Sequence, residues 1–579
     1  MKLLKLSANQ ESFHTVRFNE SGVSLIVAKS VTNQAKDTYN SVGKSLTVAL
    51  IHFCLGSNKN SAFEEKLPGW EFYLDFDING IRHTAVRATS AQESIDLDGE
   101  SLSLADFRNR LGKEVFYLHE NVKNMTFRTL ISRFIRPEKS SYNNYYVPID
   151  QEEDYPRLLN ASYLLGLDID RVISKEQLKA EYDEVKKLGD KLEKDPTIKS
   201  FFLKDSGEED LEISIVELEA KISGLKKDIA AFVIAEDYSE VKIEADQISA
   251  QLRKLRNEAT KLRIAITNIQ QSLVVKPDIS RQQLLNFYRE ANVAIGEMVV
   301  KRLEDLEKFN AQILESRSRS LTEELRRFES RLEQIEQDIA RAEKDENEKL
   351  AYLGSHGALD DYACLTSLLS EAEMKLKSQQ QYQQLIREYK TRQQELKKAF
   401  AEENLSTSQY LSDIDDHIKK NISLFKSLTD AFYEDKPSGI TIVNNEGTNK
   451  IRFNINAKIT DDAGDGVNDV RTFCYDWTLL LGHYNHNVDF LFHDSRLVSD
   501  LDSRQLVSML RIAKENTSKS EYQYILSLNE ANLKGVETIL TPEEYEELVT
   551  NNVILELTDE SNAGKLLGIQ VDVKYNKEQ

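Results

Sequence analysis

The chain has 579 residues with 30% charged side chains, 8 prolines and a formal net charge of −22. It is too long for a single hydrophobic core, and this composition is typical of long solvated helices and not of a disordered chain. An acidic chain gains little from non-specific attraction to phosphate backbones, so DNA contact requires a local basic face or a partner subunit.

The first 150 residues predict a mixed α/β segment. Alternating or continuous apolar residues indicate strands at 3–6, 15–18 and 23–28. Two further apolar stretches, 70–76 and 81–86, flank Asn79-Gly80, a dipeptide preferred in tight hairpin turns. We therefore expect an antiparallel hairpin in this part of the chain.

From about residue 152 the pattern becomes helical, with interruptions at Pro196 and at 204–210. Apolar residues at alternating steps of three and four predict coiled-coil seams. The seams contain Ile215, Leu218, Ile222, Leu225, Ile229 and Phe232, then Ile248, Leu252, Leu255, Ala259, Leu262, Ile266, Ile269 and Leu273, and finally Leu321, Leu325, Phe328, Leu332, Ile335 and Ile339. Pro277 and the glycines of 354–357 break the pattern. A reversal of the chain near 273–300 leaves arms of similar length, so we prefer it to a reversal at 354–357.

After about residue 432 the helical pattern gives way to strands. Strands are expected at 439–443, 450–455, 490–493 and 524–528, with a helix at 503–515 between the last two. That order is a β-α-β rhythm, which is typical of a parallel sheet.

A phosphate-binding pattern occurs at Asn40-Ser41-Val42-Gly43-Lys44-Ser45, followed by an apolar stretch that begins with Leu46. Gly43 permits a tight turn into a helix whose N-terminal amides bind phosphate oxygens. Lys44 supplies a positive charge and Ser45 a Mg²⁺ ligand. We predict that these residues, from Asn40 to Leu46, bind ATP. Thr38 replaces the first glycine of the full pattern, so an ordinary glycine-capped turn is the alternative.

The second half of a nucleotide site is expected at Asp494, which ends the apolar stretch Phe490-Leu491-Phe492-His493. A carboxylate at the end of a buried strand is placed to hold Mg²⁺ or its water shell, so Ser45 and Asp494 are the predicted metal ligands. A glutamate usually follows this aspartate and polarises the attacking water, but Ser495 stands there. A serine hydroxyl is a weak base at neutral pH. We expect Asp502 or Glu530 to substitute, or hydrolysis to be slow.

These motifs resemble the Walker A and Walker B segments of ABC-type ATPases, and most closely those of the YydD-like family of SMC-related proteins. The stretch from Phe127 to Arg136 and the segment from Tyr288 to Arg317 also resemble that family. The resemblance implies an α/β head that dimerises around two ATP molecules, encoded by bacterial genes that often lie near defence or other multi-component systems. It also places Gly464 and Gly466 in the signature segment that faces the nucleotide of the opposite subunit.

We therefore expect an ABC-type ATPase head assembled from residues 1–155 and 434–579, with residues 156–433 forming an inserted antiparallel coiled-coil arm. The expected function is an ATP-gated homodimer that clamps or senses DNA with additional protein subunits, as an ATPase that lacks the usual glutamate. The rival is an ATP-switched scaffold that controls an effector protein without binding DNA. A third alternative is a structural coiled coil that binds no nucleotide.

Other polar clusters favour structural roles or leave alternatives open. His483, His486 and His493 are close in sequence, but loop or structural roles are favoured over a metal site. Arg133 and Arg136, near Lys139, could contact ATP or DNA, or form a surface patch with partner carboxylates. The absence of a long apolar run and of any Cys-x-x-Cys pair predicts a cytoplasmic protein without a membrane span or a zinc hook.

Overall fold

The computed structural model describes residues 1–29, 42–118, 122–203, 211–231, 239–274, 297–353, 358–434, 436–460 and 465–571. The chain divides into two compact units. The described residues of 1–181 and 397–579 form the first, here called the terminal unit. Those of 182–287 and 295–396 form the second, here called the helical unit.

A parallel sheet lies at the centre of the terminal unit and combines both ends of the chain. Its strands are β3 (Gly22–Lys29), β10 (Phe490–His493), β11 (Gln523–Asn529) and β12 (Val553–Thr558), in the order β10-β11-β3-β12. Six of the eight residues of β3 are buried, as expected for a strand covered on both faces. The N-terminal strand β3 is therefore inserted between two C-terminal strands.

A second sheet of the terminal unit is antiparallel and comes from the N-terminal segment. It contains β1 (Lys2–Ala8), β2 (Val16–Arg17), β4 (Glu71–Ile78), β5 (Ile81–Ala88), β6 (Ser94–Leu97) and β7 (Glu100–Ser103), in the order β2-β1-β4-β5-β6-β7. The predicted hairpin is confirmed, because Ile78 pairs with Ile81 across Asn79 and Gly80. Both turn residues have positive φ, 56° and 81°, which matches the primed turn.

Helices cover the two sheets. The terminal unit contains α1 (Lys44–Cys54), α2 (Ser61–Lys66), α3 (Leu104–Phe116), α4 (Phe127–Ile135), α5 (Asp154–Leu164), α12 (Asp415–Thr429), α13 (Asp465–Gly482), α14 (Ser503–Lys519), α15 (Glu530–Glu537) and α16 (Pro542–Leu548). A hairpin of β8 (Ser438–Asn444) and β9 (Phe453–Ile459) packs near α12. The strand predicted at 450–455 begins later, at Phe453, because Asn449 Oδ1 accepts from the Ile451 amide (2.8 Å) in the preceding turn.

Polar contacts also join the N-terminal and C-terminal segments. The Met1 ammonium forms an ion pair with Asp489 Oδ2 (2.8 Å). The Leu3 amide donates to Gln523 Oε1 (2.8 Å), and Gln523 Nε2 donates back to the Leu3 carbonyl (2.6 Å). A single hydrophobic cluster includes residues from both segments, such as Phe53 and Trp477. The two ends of the chain therefore fold around one core.

The helical unit consists of long helices. The helices with residues in it are α6 (Ile169–Lys194), α7 (Pro196–Leu203), α8 (Leu211–Ala231), α9 (Ser239–Val274), α10 (Glu297–Leu353) and α11 (Ala358–Asp413). The predicted break at Pro196 is confirmed, since α6 ends at Lys194 and Pro196 starts α7. Proline is well tolerated at that position because its missing N–H has no partner in the first turn.

The predicted seams of α9 and α8 are confirmed in the described residues. In α9, Leu252, Ala259, Ile266 and Ile269 are buried. Ion pairs of Arg256 with Glu343 and of Arg263 with Glu336 show that α9 and α10 run antiparallel. In α8, Ile222 and Leu225 pack with Leu369 and Ala372 of α11. Phe232, most of the predicted reversal at 273–300, and the predicted breaks at 204–210 and 354–357 lie outside the described residues.

Candidate functional site

The parallel sheet brings the two predicted half-sites together. The strand β3 precedes the predicted phosphate loop, and β10 ends one residue before Asp494. Because the carboxyl ends of parallel strands lie at the same edge of a sheet, the carboxyl ends of β3 and β10 lie at that edge together. Asn40 and Ser41 lie outside the described residues, which resume at Val42.

Gly43 forms the turn into α1. Its φ of 110° is in the region that favours glycine, and a Cβ built on it would lie 2.5 Å from Leu566 Cβ. The Leu566 amide donates to the Val42 carbonyl (3.0 Å), so the C-terminal segment holds this turn closely. No side chain of the described residues caps the N-terminus of α1, so its first amides suit a ligand.

Lys44 is the first residue of α1 and is only 5% exposed. Burial lowers the pKa of its ammonium group to about 8, and the nearby Asp494 carboxylate opposes this shift only in part. A buried cation is stabilised by a bound anion, so this position suits a phosphate. The next predicted residue, Leu46, is 6% exposed and belongs to the hydrophobic core.

Three serine side chains surround the Asp494 carboxylate. Ser45 Oγ donates to Asp494 Oδ2 (2.7 Å), and Ser527 Oγ donates to Asp494 Oδ1 (2.6 Å). Ser495 Oγ lies 3.5 Å from Asp494 Oδ1, and the Ser495 amide donates to Ser527 Oγ (3.0 Å). The Asp494 amide donates to the Tyr142 hydroxyl (2.8 Å), which fixes the end of β10. The predicted metal ligands Ser45 and Asp494 are thus in direct contact.

A cleft of about 460 Å³ opens in front of these residues. It is lined by Gly43, Lys44, Ser45, Val48, Arg136, Pro137, Glu138, Lys139, Tyr142, Asp494, Ser495, Arg496, Ser499 and Asn529. Lysine and arginine side chains suit phosphate oxygens, whereas hydroxyl and carboxylate oxygens suit Mg²⁺. The residues present therefore fit a phosphate polyanion that carries a divalent cation.

A buried polar network lies behind the cleft and connects α4, α13, β10 and β11. Arg136, which ends α4, donates through Nη2 to Asp476 Oδ1 (2.7 Å) on α13. Asp476 Oδ2 also contacts His493 Nε2 (3.0 Å), and His493 Nδ1 contacts the Tyr524 hydroxyl (3.1 Å). Burial lowers the pKa of His493 despite the adjacent Asp476 carboxylate. The strand residue next to Asp494 is therefore held by α4 and α13.

The basic residues at the end of α4 and in the loop after it differ in their surroundings. Arg133 is 3% exposed and donates through Nη2 to both carboxylate oxygens of Glu152. Arg136 is 1% exposed and paired with Asp476. The expectation that both could form a surface patch is therefore wrong, because each guanidinium is buried against a carboxylate of the same chain. Lys139 is exposed and lines the cleft.

Of the predicted site residues that the structure describes, five do not line the cleft: Val42, Leu46, Gly466, Asp502 and Glu530. Asp502 caps α14, since its Oδ1 accepts from the Gln505 amide (2.8 Å). Glu530 begins α15 and pairs with Lys534 (3.5 Å). Gly466 lies in the first turn of α13, where an added Cβ would be 3.0 Å from the Asp500 carbonyl oxygen. Gly464 lies outside the described residues.

Several residues of the site were not predicted from the sequence: Glu138, Tyr142 and Arg496 line the cleft, and Ser527 contacts Asp494. The short distance in sequence of Arg496 from Asp494 is a local signal that could have identified it. Glu138 and Tyr142 carry no such signal, because they reach the cleft through the loop that follows α4.

The described residues contain no cluster of three or more histidine, cysteine, aspartate or glutamate side chains that could hold a metal ion. Within the same residues, every helix is too short or too polar to cross a membrane.

Comparisons with known proteins give matches to structures and to one family, whereas no curated protein sequence matches. The chain resembles the Smc head domain with a coiled coil and joint from Pyrococcus yayanosii, with 12% identity, coverage of 92% and 93% of the two chains and a TM-score of 0.36. It also resembles the Smc head domain with an extended coiled coil bound to the C-terminal domain of ScpA from Pyrococcus furiosus, with 11% identity, coverage of 92% and 91% and a TM-score of 0.31. Among curated proteins, the comparison returned nothing similar. Residues 428–571, which include Asp494 and Ser527, match DUF2326, a family described as an uncharacterised protein conserved in bacteria.

Proposed function

We propose that this chain binds Mg²⁺ and ATP in the cleft between α1 and the end of β10. The observation that carries the proposal is the contact of Ser45 Oγ with Asp494 Oδ2 (2.7 Å) beside the buried Lys44. Residues 449 positions apart in sequence form this contact. A phosphate loop and a strand-end carboxylate are the two parts that an ATPase of this type requires.

Each residue has a role that follows from its chemistry. The α1 amides and the Lys44 ammonium would hold phosphate oxygens, and the Ser45 and Asp494 oxygens would hold Mg²⁺. Gly43 allows the phosphates to approach the backbone closely, and Arg496 and Lys139 add positive charge at the rim. When bound, Mg²⁺ neutralises negative charge on the phosphates.

At the level of the whole chain, we propose an SMC-like ABC ATPase of the YydD-like type, which dimerises through its heads when ATP binds. The dimer, with partner subunits, would clamp or sense DNA in a bacterial defence system. In the dimer, Gly464 and Gly466 would face the nucleotide of the other subunit. The second candidate is a scaffold that uses the same ATP switch to control an effector protein, and the net charge of −22 favours it.

We also propose that hydrolysis is slow or stimulated by a partner. Ser495 follows Asp494, and its amide is already bonded to Ser527 Oγ (3.0 Å). Its hydroxyl is no substitute for a carboxylate base at neutral pH. Asp502 and Glu530, the other candidates, are engaged in a helix cap and an ion pair.

The proposal is tested by measuring ATP affinity and molecular mass in solution with Mg²⁺. We expect wild type to bind ATP and to double its mass. Lys44→Ala and Asp494→Ala should weaken ATP binding by at least about 100-fold, because each removes a charged contact worth about 3 kcal/mol or more when buried.

Lys419→Ala is the matched control, since Lys419 is 66% exposed and pairs only locally with Asp415. It should behave as wild type in both measurements. Wild type that binds no ATP would favour the third alternative, a coiled coil without a nucleotide. ATP binding without a change in mass would contradict the proposed dimer alone.

A further inference from the structure

The loop after α4 is held by contacts of its first residue, Arg136, and by hydrogen bonds between Glu138 and Ser141. Arg136 has a φ of 45°, and its buried guanidinium donates to Asp476 Oδ1 (2.7 Å) and to the Tyr145 carbonyl (2.6 Å). The ring of Pro137 restricts the next φ. Two further bonds join Ser141 to Glu138, whose amide donates to Ser141 Oγ (3.3 Å) and whose carbonyl accepts from the Ser141 amide (3.2 Å). The backbone of Glu138 is therefore held in one place.

This loop places a second carboxylate in the cleft. Among the described residues that line it, the acidic ones are Asp494 and Glu138. Asp494 accepts from Ser45 and Ser527 and would bind Mg²⁺ under the proposed function. A metal-bound carboxylate is a poor proton acceptor, because the cation stabilises its charge. The proposed function does not make Glu138 a metal ligand, and Ser140 Oγ contacts its Oε2 at 3.5 Å.

We propose that Glu138, and not Ser495, is the catalytic carboxylate that orients and deprotonates the attacking water. The inference rests on the proposed function in its slow-hydrolysis form, since it needs ATP in the same cleft and turnover by the isolated protein. The water oxygen forms a bond to the terminal phosphorus, and its proton passes to the Glu138 carboxylate. The bond from that phosphorus to the bridging oxygen breaks, and this oxygen keeps the electron pair as part of ADP.

The anchoring of the loop supplies what such a base requires. General bases act only when held within hydrogen-bonding reach of the reacting water, and rigid support makes that geometry reproducible. Glu138 receives this support from the buried pair of Arg136 and Asp476. Asp476 lies on α13, so the helix that contains Gly466 also helps to position the base.

The test replaces the carboxylate with its neutral isostere in the full-length protein. Wild type and Glu138→Gln are incubated with ATP and Mg²⁺, and ATP affinity, molecular mass and the identity of the bound nucleotide are measured. We expect Glu138→Gln to bind ATP within about threefold of wild type and to retain it unhydrolysed in the dimer. Hydrolysis should fall by at least about 100-fold, the usual effect of losing a general base.

Glu153→Gln is the matched control, because its side chain is 74% exposed and pairs with Lys450 at the surface. It should hydrolyse ATP as wild type does. Glu138→Asp keeps the acid but shortens it, and should give an intermediate rate if the fold is intact.

Four results would overturn the inference. The first is hydrolysis by Glu138→Gln at the wild-type rate, and the second is loss of ATP binding in that variant. The third is a Glu138→Asp rate no higher than that of Glu138→Gln. The fourth is a wild-type protein that never converts bound ATP. The second result would indicate that Glu138 binds the metal ion or supports the fold. Failure of wild type itself to bind ATP would instead refute the proposed function, so the two failures are distinguishable.

Discussion

At the scale of single residues, Lys44 has the most informative surroundings. It is 5% exposed, and burial lowers its pKa to about 8 although Asp494 lies nearby. In the unfolded chain the same group titrates near 10.4. The folded state therefore holds fewer protons between these pH values. The contribution of Lys44 to the free energy of unfolding then rises with pH from about 8 to 10, because the penalty of the buried charge disappears.

Nucleotide binding should show the opposite dependence on pH. A bound phosphate requires the charged form of Lys44, so ATP affinity should fall as the pH rises above about 8. We expect a loss of about fivefold between pH 8 and pH 9, because the charged fraction of a group with a pKa of about 8 falls from about one half to about one tenth. Fluorescence titration with a labelled ATP analogue at constant Mg²⁺ measures this dependence.

Lys44→Arg is the control for that titration, because arginine keeps its charge throughout this range. Its affinity should be weaker than that of wild type but constant with pH. An equal fall in wild type and Lys44→Arg would assign the pH dependence to another group.

At the scale of elements, the start of α1 depends on a single glycine. Gly43 combines a φ of 110° with a close neighbour, since an added Cβ would lie 2.5 Å from Leu566 Cβ. Leu566 belongs to the C-terminal segment and is 0% exposed, so it has no free space into which to move. Gly43 is therefore needed for packing between the two segments as well as for the turn.

Gly43→Ala should lower the free energy of unfolding and abolish ATP binding. Positive φ costs an alanine about 1–2 kcal/mol, and the contact with Leu566 adds about 1–3 kcal/mol of overpacking. Chemical denaturation and ATP titration measure the two effects. Gly69→Ala is the matched control, because its φ is 73° but no atom lies within 4 Å of the added Cβ. Equal destabilisation by both substitutions would show that Leu566 imposes no constraint.

Patterns within short stretches of sequence were enough to predict individual strands and helices. The hairpin at Asn79-Gly80 and the α9 seam depend on turn preference and heptad spacing, which short stretches of sequence contain. Glu138 could not be predicted in this way, because Arg136 and Asp476, which fix its loop, are 340 residues apart. The capping role of Asp502 could have been predicted, because the spacing of Asp502 and Gln505 is a helix-capping pattern.

At the scale of the whole molecule, charge limits how DNA can be bound. The net charge is −22, so phosphate contacts must come from local clusters, from the ATP-bound dimer or from a partner. Lys139 and Arg496 both line the cleft. Under the proposed function these two side chains contact the nucleotide and not DNA.

If the chain clamps DNA, retention of a duplex by the ATP-bound dimer should fall steeply as salt rises. A protein that makes several phosphate contacts loses about 10³-fold or more in affinity between roughly 50 and 200 mM salt. Filter retention with ATP and without it measures the effect, and Lys44→Ala serves as the control that cannot form the dimer. No retention at the lowest salt would favour the scaffold that controls an effector protein.

The position of β3 between β11 and β12 has a consequence for biosynthesis. Its partner in β11, Ile525 opposite Ser24, emerges from the ribosome about 500 residues later. At roughly 5–20 residues per second, the first of these strands waits between about 25 and 100 s for its neighbours. During this interval the nascent polypeptide carries an apolar strand with two open edges, which is a hazard for aggregation. A product that ends before residue 523 would lack both neighbours, and under the proposed function it could not hold nucleotide.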